Sequence, residues 1–275
     1  MNLNSTFMLN NGIKIPLLGL GVFKNPTGKS TQNAVLAALK NGYRHIDTAK
    51  IYANEQDVGI AIKNSEIPRD EIFVTTKLWN GDQGYDSTLR ALDESLQKLQ
   101  LDYVDLYLMH WPVEKLRLES WRAMEKLLND GKALSIGISN FMKRHVDEIL
   151  NGGKIIPAVN QIELSPYIYQ FRKDTIDFCL ENNILIEAYS PLTKGRKLND
   201  PRLVEISNTY GKSTAQILIR WVLEHKFIVI PKSSKEERII ENANVFDFSI
   251  SKEDMAFLDS LNENLVTGWD PTTAP

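Results

Sequence analysis

Asp47 closes the run Tyr43-Arg44-His45-Ile46, Lys77 closes Ile72-Phe73-Val74-Thr75-Thr76, and His110 closes Asp105-Leu106-Tyr107-Leu108-Met109. Tyr52 follows Asp47 by five residues, in the next loop. An acid, a phenol, an ammonium and an imidazole at or beside the ends of apolar, β-rich runs are the parts of a proton-transfer site. A free phenol ionises near pH 10 and is a poor acid or base at neutral pH. A nearby ammonium favours the phenolate and lowers that value, and a carboxylate can pair with the ammonium and orient it. Tyr52 backed by Lys77 and Asp47 therefore reads as a general acid. His110 could donate a hydrogen bond to a carbonyl oxygen and help stabilise a developing alkoxide. Taken singly each has a plainer role: Lys77 as a solvated strand end, His110 as a turn residue before Trp111-Pro112, Asp47-Thr48 as a helix cap.

The elements that must position them alternate. Expected strands are Leu17–Leu20, Tyr43–Asp47, Ile72–Lys77, Asp105–His110, Ala133–Ser139, Ala158–Glu163, Leu185–Ser190 and Ile228–Pro231. Between them lie helical patterns, at about Ser30–Lys40, Glu55–Lys63, Glu119–Asn129, Lys143–Leu150, Arg172–Glu181 and Thr214–Glu224. The most regular is the stripe Tyr85, Leu89, Leu92, Leu96, Leu99, which repeats with helical period. Strands alternating with helices argue for a parallel sheet, and eight such units in 275 residues suit a closed (β/α)8 barrel. Barrels of roughly 250 residues form one domain, so residues 1–275 are expected to be a single domain. Catalytic groups of such barrels come from the C-terminal ends of several strands, which is where Asp47, Lys77 and His110 fall. Phe7 to Ile15 reads as a hairpin plugging the barrel bottom, with Asn11-Gly12 suited to a type I′ turn. Lys252–Leu261 is expected as an extra helix beyond the barrel.

Bulk properties exclude several classes. Net charge is −3 and 43% of residues are hydrophobic, enough for a full core and no reason to expect nucleic acid or an anionic membrane as partner. No apolar stretch nears the roughly 18 residues needed to span a bilayer, and Met1 to Ser5 does not start a signal peptide. The one cysteine, Cys179, has no internal partner and sits among apolar neighbours, which suits a reducing cytoplasm. Nothing marks an obligate interface, so a monomer is expected.

Familiar motifs fail on inspection. Gly19-Leu20-Gly21 lacks the third glycine of a dinucleotide fingerprint, since that position is Lys24. Gly28-Lys29-Ser30 and Gly211-Lys212-Ser213 lack the leading glycine of a P-loop, having Phe23 and Ile206 instead. The histidines at 45, 110, 145 and 225 have no metal-ligand spacing, and Gly137 to Phe141 lacks the second glycine of a nucleophile elbow. After the last strand, Ser234 and Glu237 form a capping-box pattern opening a short helix that carries Lys232, Lys235 and Arg238 at its start. A basic helix N-terminus there suits a phosphate, and barrels often bind phosphate after strands seven and eight.

The chain resembles the aldo-keto reductase superfamily. The resemblance rests on Gly42-Tyr43-Arg44-His45-Ile46-Asp47-Thr48-Ala49, Lys77-Leu78-Trp79, Leu101 to Pro112, Gly137-Ile138-Ser139-Asn140-Phe141 and Ile230-Pro231-Lys232-Ser233, in family order along nearly the whole chain. Within it the pattern is nearest to bacterial glyoxal or methylglyoxal reductases and diketogluconate reductases. The resemblance implies a barrel that binds NADPH without a Rossmann fold, with Asp47, Tyr52, Lys77 and His110 as catalytic tetrad and Tyr52 as proton donor. It implies cofactor contacts from Gly21, Val22, Phe23 and Asp47. Ser139, Asn140 and Gln161 would hold the carboxamide, Tyr189 would stack on the nicotinamide, and Ser190 and Leu192 would border the pyrophosphate. Lys232, Ser233 and Arg238 would clamp the 2′-phosphate, with Glu241 and Asn242 facing the adenine. Phe23, Trp79 and Trp111, beside Tyr52 and His110, would line a pocket for a small carbonyl compound. The family often has tryptophan where this chain has Phe23, and glycine where it has Ala53. The segment after Pro112 and the tail after Leu261 are short, which should open the pocket. A barrel serving as a cofactor-bound regulatory or structural subunit is the alternative, and a metal-dependent hydrolase a weaker one.

Overall fold

The computed structural model describes all 275 residues, Met1 to Pro275. Strands β1 (Thr6–Met8) and β2 (Lys14–Pro16) pair antiparallel. Their turn differs from the expected type I′. Gly12 has a positive φ of 88° but Asn11 does not, and Gly12 N–H donates to Leu9 O while Leu9 N–H donates to Ile13 O. That is a three-residue loop, with glycine as the left-handed residue after the turn. The hairpin seats Leu9 and Ile15 in a small core with Phe73, Leu106, Leu108, Ala158, Val159 and Ile228, most of them first residues of barrel strands. Asn10 and Asn11 donate to the carbonyls of Pro157 and Leu134. The hairpin thus closes the end of the barrel opposite the site, and burying each large aliphatic there is worth about 1.5–3 kcal/mol.

Eight strands follow: β3 (Leu20–Gly21), β4 (His45–Asp47), β5 (Phe73–Leu78), β6 (Leu106–Met109), β7 (Ile136–Ser139), β8 (Val159–Glu163), β9 (Leu185–Tyr189) and β10 (Ile228–Ile230). Each pairs parallel with the next. Leu18 opposes Val229 and Gly21 opposes Lys232, and the N–H groups of Gly19 and Gly21 donate to Val229 O and Pro231 O. These bonds close the sheet into a (β/α)8 barrel.

Around it lie α1 (Lys29–Lys40), α2 (Glu55–Asn64), α3 (Tyr85–Leu99), α4 (Arg117–Asn129), α5 (Lys143–Gly152), α6 (Tyr169–Glu181), α7 (Pro201–Tyr210), α8 (Thr214–Glu224), α9 (Glu236–Ala243) and α10 (Lys252–Asp259). Helix α3 buries Leu92, Leu96 and Leu99 as its stripe predicts, although the first member, Tyr85, is exposed. Helix α7 has no counterpart among the expected helices. Only Leu203, Ile206 and Ser207 are buried on it, too few for a readable period, but Asp200 caps it by accepting from Arg202 N–H, with Pro201 in the first turn. Helix α9 starts later than the capping-box pattern places it. Its N-cap is Lys235 without a side-chain cap, and it is Ser233, not Ser234, whose Oγ accepts the Lys235 N–H at 3.1 Å. No helix is long and apolar enough to cross a membrane.

Candidate active site

Side chains alternate along a strand, so residues two apart share a face. His45 and Asp47 of β4, Thr75 and Lys77 of β5, Gln161 of β8 and Glu187 of β9 all turn into the barrel, where they touch one another. Lys77, fully buried, donates to both oxygens of Asp47 at 2.6 and 2.7 Å and to the carbonyl of Thr48 at 2.9 Å. Its Nζ stands 3.4 Å from the Tyr52 hydroxyl. Asp47 also accepts from Gln161 Nε2 at 2.8 Å. Lys77 is one residue short of the end of β5, and His110 is the first residue beyond β6.

Tyr52 is carried by a 3-10 turn, Lys50–Tyr52, and local bonds hold that turn over the strand ends. Thr48 Oγ1 donates to Asn54 Oδ1 at 2.8 Å, and Asn54 Nδ2 donates to Val22 O at 3.0 Å, tying the turn to β3. Outside, Lys50 pairs with Asp82 and Glu94. Ala53, next to Tyr52, is left-handed with φ 57°. A glycine would adopt that backbone without strain.

The rings of Tyr52 and His110 meet edge-on at 5.8 Å, Trp79 meets His110 at 5.4 Å, and Trp111 stacks alongside His110 at 6.2 Å. Phe23 leans on Tyr52 at 4.9 Å. Burial, then the charge of Lys77, pushes the His110 imidazole well below its usual value, so it is neutral at neutral pH; its buried Nδ1 has no partner in the protein. The phenol of Tyr52 is pushed well above its usual value by burial, Asp47 and Glu187. This corrects the expectation that Lys77 lowers it. The ammonium is committed to Asp47, so the pair offers little net positive charge. Burial also raises Asp47, against the pull of Lys77 and Gln161.

A second group forms one hydrogen-bonded set at the ends of β7, β8 and β9. Ser139 Oγ donates to Gln161 O, Asn140 Nδ2 donates to His110 O and Ser139 Oγ, and Tyr189 OH donates to Asn140 Oδ1 at 2.7 Å. Asn140 and Ser190 both have left-handed backbones, and Leu192 leads into a further 3-10 turn, Thr193–Gly195. A third group lies on the β10–α9 connection. Lys232 and Arg238 are exposed and have no carboxylate partner, whereas Ser233 is buried with its hydroxyl turned onto Lys235. Glu241 is half-buried and Asn242 buried, both in the second half of α9. Gly21, opposite Lys232, links this group to the barrel mouth; a Cβ there would lie 3.1 Å from Ile230 O.

These residues suit a phosphorylated nicotinamide cofactor in two respects. Unpaired cations beside a helix start, Lys232, Lys235 and Arg238, suit a phosphate, while the set at β7–β9, whose donors are spent on one another and on the two acids, presents side-chain oxygens that can accept from a carboxamide amine.

Sequence reading missed Asn54, Glu187, Glu163 and Trp269. Glu163 accepts from Thr267 N–H, the Thr267 hydroxyl and Gly268 N–H. The C-terminal segment is thereby drawn over the mouth and brings Trp269 against Trp111 at 4.5 Å. The short tail does not leave that side of the pocket bare, as expected from its length. Alternation from Tyr189 could have found Glu187; nothing in the tail composition marks Trp269.

The chain is a parallel barrel with a Tyr–Lys–Asp–His cluster at its C-terminal mouth. The chain matches the Aldo/keto reductase family over residues 17–263 and belongs to it. Glyoxal reductase of Bacillus subtilis is 49% identical over 270 residues, covering 98% of this chain and 97% of that protein. Among solved structures, an aldo-keto reductase from a deep-sea metagenome library is 44% identical with a TM-score of 0.93, over 98% of this chain and all of that one (100%). An aldo-keto reductase of Bombyx mori in complex with NADP is 36% identical with a TM-score of 0.89, over 96% of this chain and 94% of that one.

Proposed function

We propose that this chain is a single-domain, monomeric NADPH-dependent reductase of small aldehydes and ketones, such as glyoxal, methylglyoxal or keto sugars. One observation carries the reading: the Tyr52 hydroxyl stands 3.4 Å from a buried Lys77 that is itself bidentate on Asp47, beside a neutral His110 and aromatic walls. The likeness to the Bacillus glyoxal reductase and to an NADP-bound structure supports the substrate and cofactor classes.

When bound, NADPH would supply a hydride to the carbonyl carbon. Lys232 and Arg238 would hold its 2′-phosphate, and Ser139, Asn140 and Gln161 its carboxamide. The chain does the rest. His110, neutral, donates a hydrogen bond to the carbonyl oxygen and orients it. Tyr52, raised above its usual value, is fully protonated at neutral pH and ready to give its proton to the oxygen as alkoxide character grows. Lys77, 3.4 Å from the Tyr52 oxygen, can donate to the resulting phenolate and offset part of the burial and the Asp47 and Glu187 charges that disfavour it. Asp47 keeps Lys77 aimed. Phe23, Trp79 and Trp111 supply apolar walls suited to a small carbonyl compound with few polar groups.

Steady-state NADPH oxidation across a carbonyl panel including methylglyoxal tests the reading. Turnover of small dicarbonyls is expected. Tight NADPH binding with no turnover of any carbonyl would favour a cofactor-bound regulatory or structural barrel instead.

A further inference from the structure

Glu187 is a buried acid that the reaction above does not use. It faces Gln161 across the β8–β9 ladder and is wholly enclosed. Its Oε2 accepts from Gln161 Nε2 at 2.7 Å, and the same nitrogen donates to Asp47 Oδ2 at 2.8 Å. Both protons of that amide are therefore committed to acids. Glu187 Oε1 lies 3.6 Å from His45 Nε2 and makes no hydrogen bond.

The titratable and charged groups that act on this carboxyl are His45 and Asp47 from β4, Lys77 from β5 and Tyr52 from the 3-10 turn. Gln161 is its neutral neighbour on β8. The set holds one cation, and Asp47 has it. Two carboxylates with one ammonium in a dry core would leave a negative charge unbalanced, which such a core does not tolerate. Burial first, then Asp47, pushes Glu187 up to about 8, so it is a neutral acid at neutral pH. His45, pushed down to about 3 chiefly by burial, is neutral too.

We propose that Glu187 is a positioning residue for proton transfer: as a neutral acid it fixes the Gln161 amide, and through it Asp47 and Lys77, in the arrangement that Tyr52 needs. Its ionisation places a second carboxylate in the same core. That charge competes for Lys77 and disfavours the Tyr52 phenolate left by proton transfer. The consequence is a loss of rate on the alkaline side while Tyr52 itself is still protonated. The inference rests on the reductase reading above.

The test is kcat and KM for carbonyl reduction at saturating NADPH, from about pH 6 to about pH 10, for the wild type, Glu187→Gln and Glu187→Ala. The wild type should lose tenfold or more in kcat with a midpoint of about pH 8, KM changing little. Glu187→Gln mimics the neutral acid. It should show no such fall and stay within about fivefold of the wild-type plateau. Glu187→Ala frees one side of Gln161 and should lose more than about tenfold in kcat at every pH, so only the conservative variant rescues. An alkaline fall in Glu187→Gln equal to the wild type's, or an Ala variant as active as the Gln variant, would overturn the proposal. Infrared difference spectra read the acid without turnover. A protonated carboxyl band should disappear with the same midpoint in the wild type and be missing in Glu187→Gln; no such band in the wild type overturns the proposal. A wild type that turns over no carbonyl overturns the reductase reading itself, and is thereby told apart from a failure of Glu187 alone.

Discussion

Trp269 packs against Trp111 with ring centroids 4.5 Å apart, joining the C-terminal segment to the wall that follows β6. The segment is pinned on both sides of Trp269. Glu163 holds Thr267 and Gly268, buried Arg172 pairs with Asp270 at 2.9 Å, and Arg117 and Arg144 bind carbonyls of Pro275, Thr272 and Ala274. A half-exposed indole held this firmly is a wall, not a loose end. Trp269→Ala should raise KM about tenfold for bulky aromatic aldehydes, which lose a large apolar contact, while methylglyoxal stays within about twofold. KM measured across a size series checks this. Equal changes for all substrates would show that Trp269 does not meet them.

The Asp47–Lys77 pair is buried, so its value lies in balance. Removing one partner from a buried pair leaves an uncompensated charge and costs about 3–5 kcal/mol. Asp47→Asn should therefore destabilise the fold by about that much in denaturant unfolding, besides lowering kcat. Asp47→Asn with Lys77→Met should cost clearly less than the sum of the single changes, because the double variant buries no lone charge. Additive costs would contradict the pairing.

Much of this barrel was legible because its strands are short apolar runs and its helices amphipathic: seven of the ten helices and all eight strands fall on such patterns, and an eighth, α10, on the extra-helix pattern. Helix α7 was not, since it buries too few apolar side chains to show a period. The turn after β1 was misread because Asn-Gly alone does not fix register; Leu9 and Ile13 pair one step wider than a two-residue turn needs. In the site, Asp47, Lys77 and His110 announce themselves by closing strands. Alternation from Tyr189 turns Glu187 inward, but an acid mid-strand among apolar residues carries no local signal of its partners. The direction of the Tyr52 shift was also not readable, since it depends on Lys77 being spent on Asp47.

Stability should peak near neutral pH. His45 is pushed down to about 3 and His145 to about 4, both first by burial, and His110 lies well below its usual value. A depressed histidine contributes stability that is complete above about pH 6.5 and is lost on acidification. Glu187, raised to about 8, acts oppositely: its contribution is complete at acid pH and is lost as pH climbs towards 8. Between about pH 6.5 and 4.5 the depressed histidines outnumber Glu187, so stability falls with falling pH. Between about pH 6.5 and 8 Glu187 alone differs among these groups, and stability falls with rising pH by up to about 1.4 kcal/mol per unit. Urea unfolding across this range should show both slopes, and Glu187→Gln should remove the alkaline one. A Gln variant that keeps it would contradict the assignment.

Lys232 and Arg238, with Lys235 between them, are unpaired cations around the start of α9. Lys232→Ala with Arg238→Ala should raise the Kd of NADPH by about a hundredfold, as two charge-assisted contacts of roughly 1.5 kcal/mol each are lost, and that of NADH by less than about threefold. Fluorescence titration with each cofactor measures both. Equal weakening would place the phosphate elsewhere.

Tyr52→Phe tests the central claim most directly. The variant removes one oxygen and leaves the barrel, Lys77 and the aromatic walls in place. NADPH oxidation with methylglyoxal should fall by about a hundredfold to ten-thousandfold in kcat, the span of general acid catalysis, while the Kd of NADPH stays within about twofold. A Phe variant that reduces methylglyoxal at the wild-type rate would contradict Tyr52 as the proton donor, and with it the reading of the site.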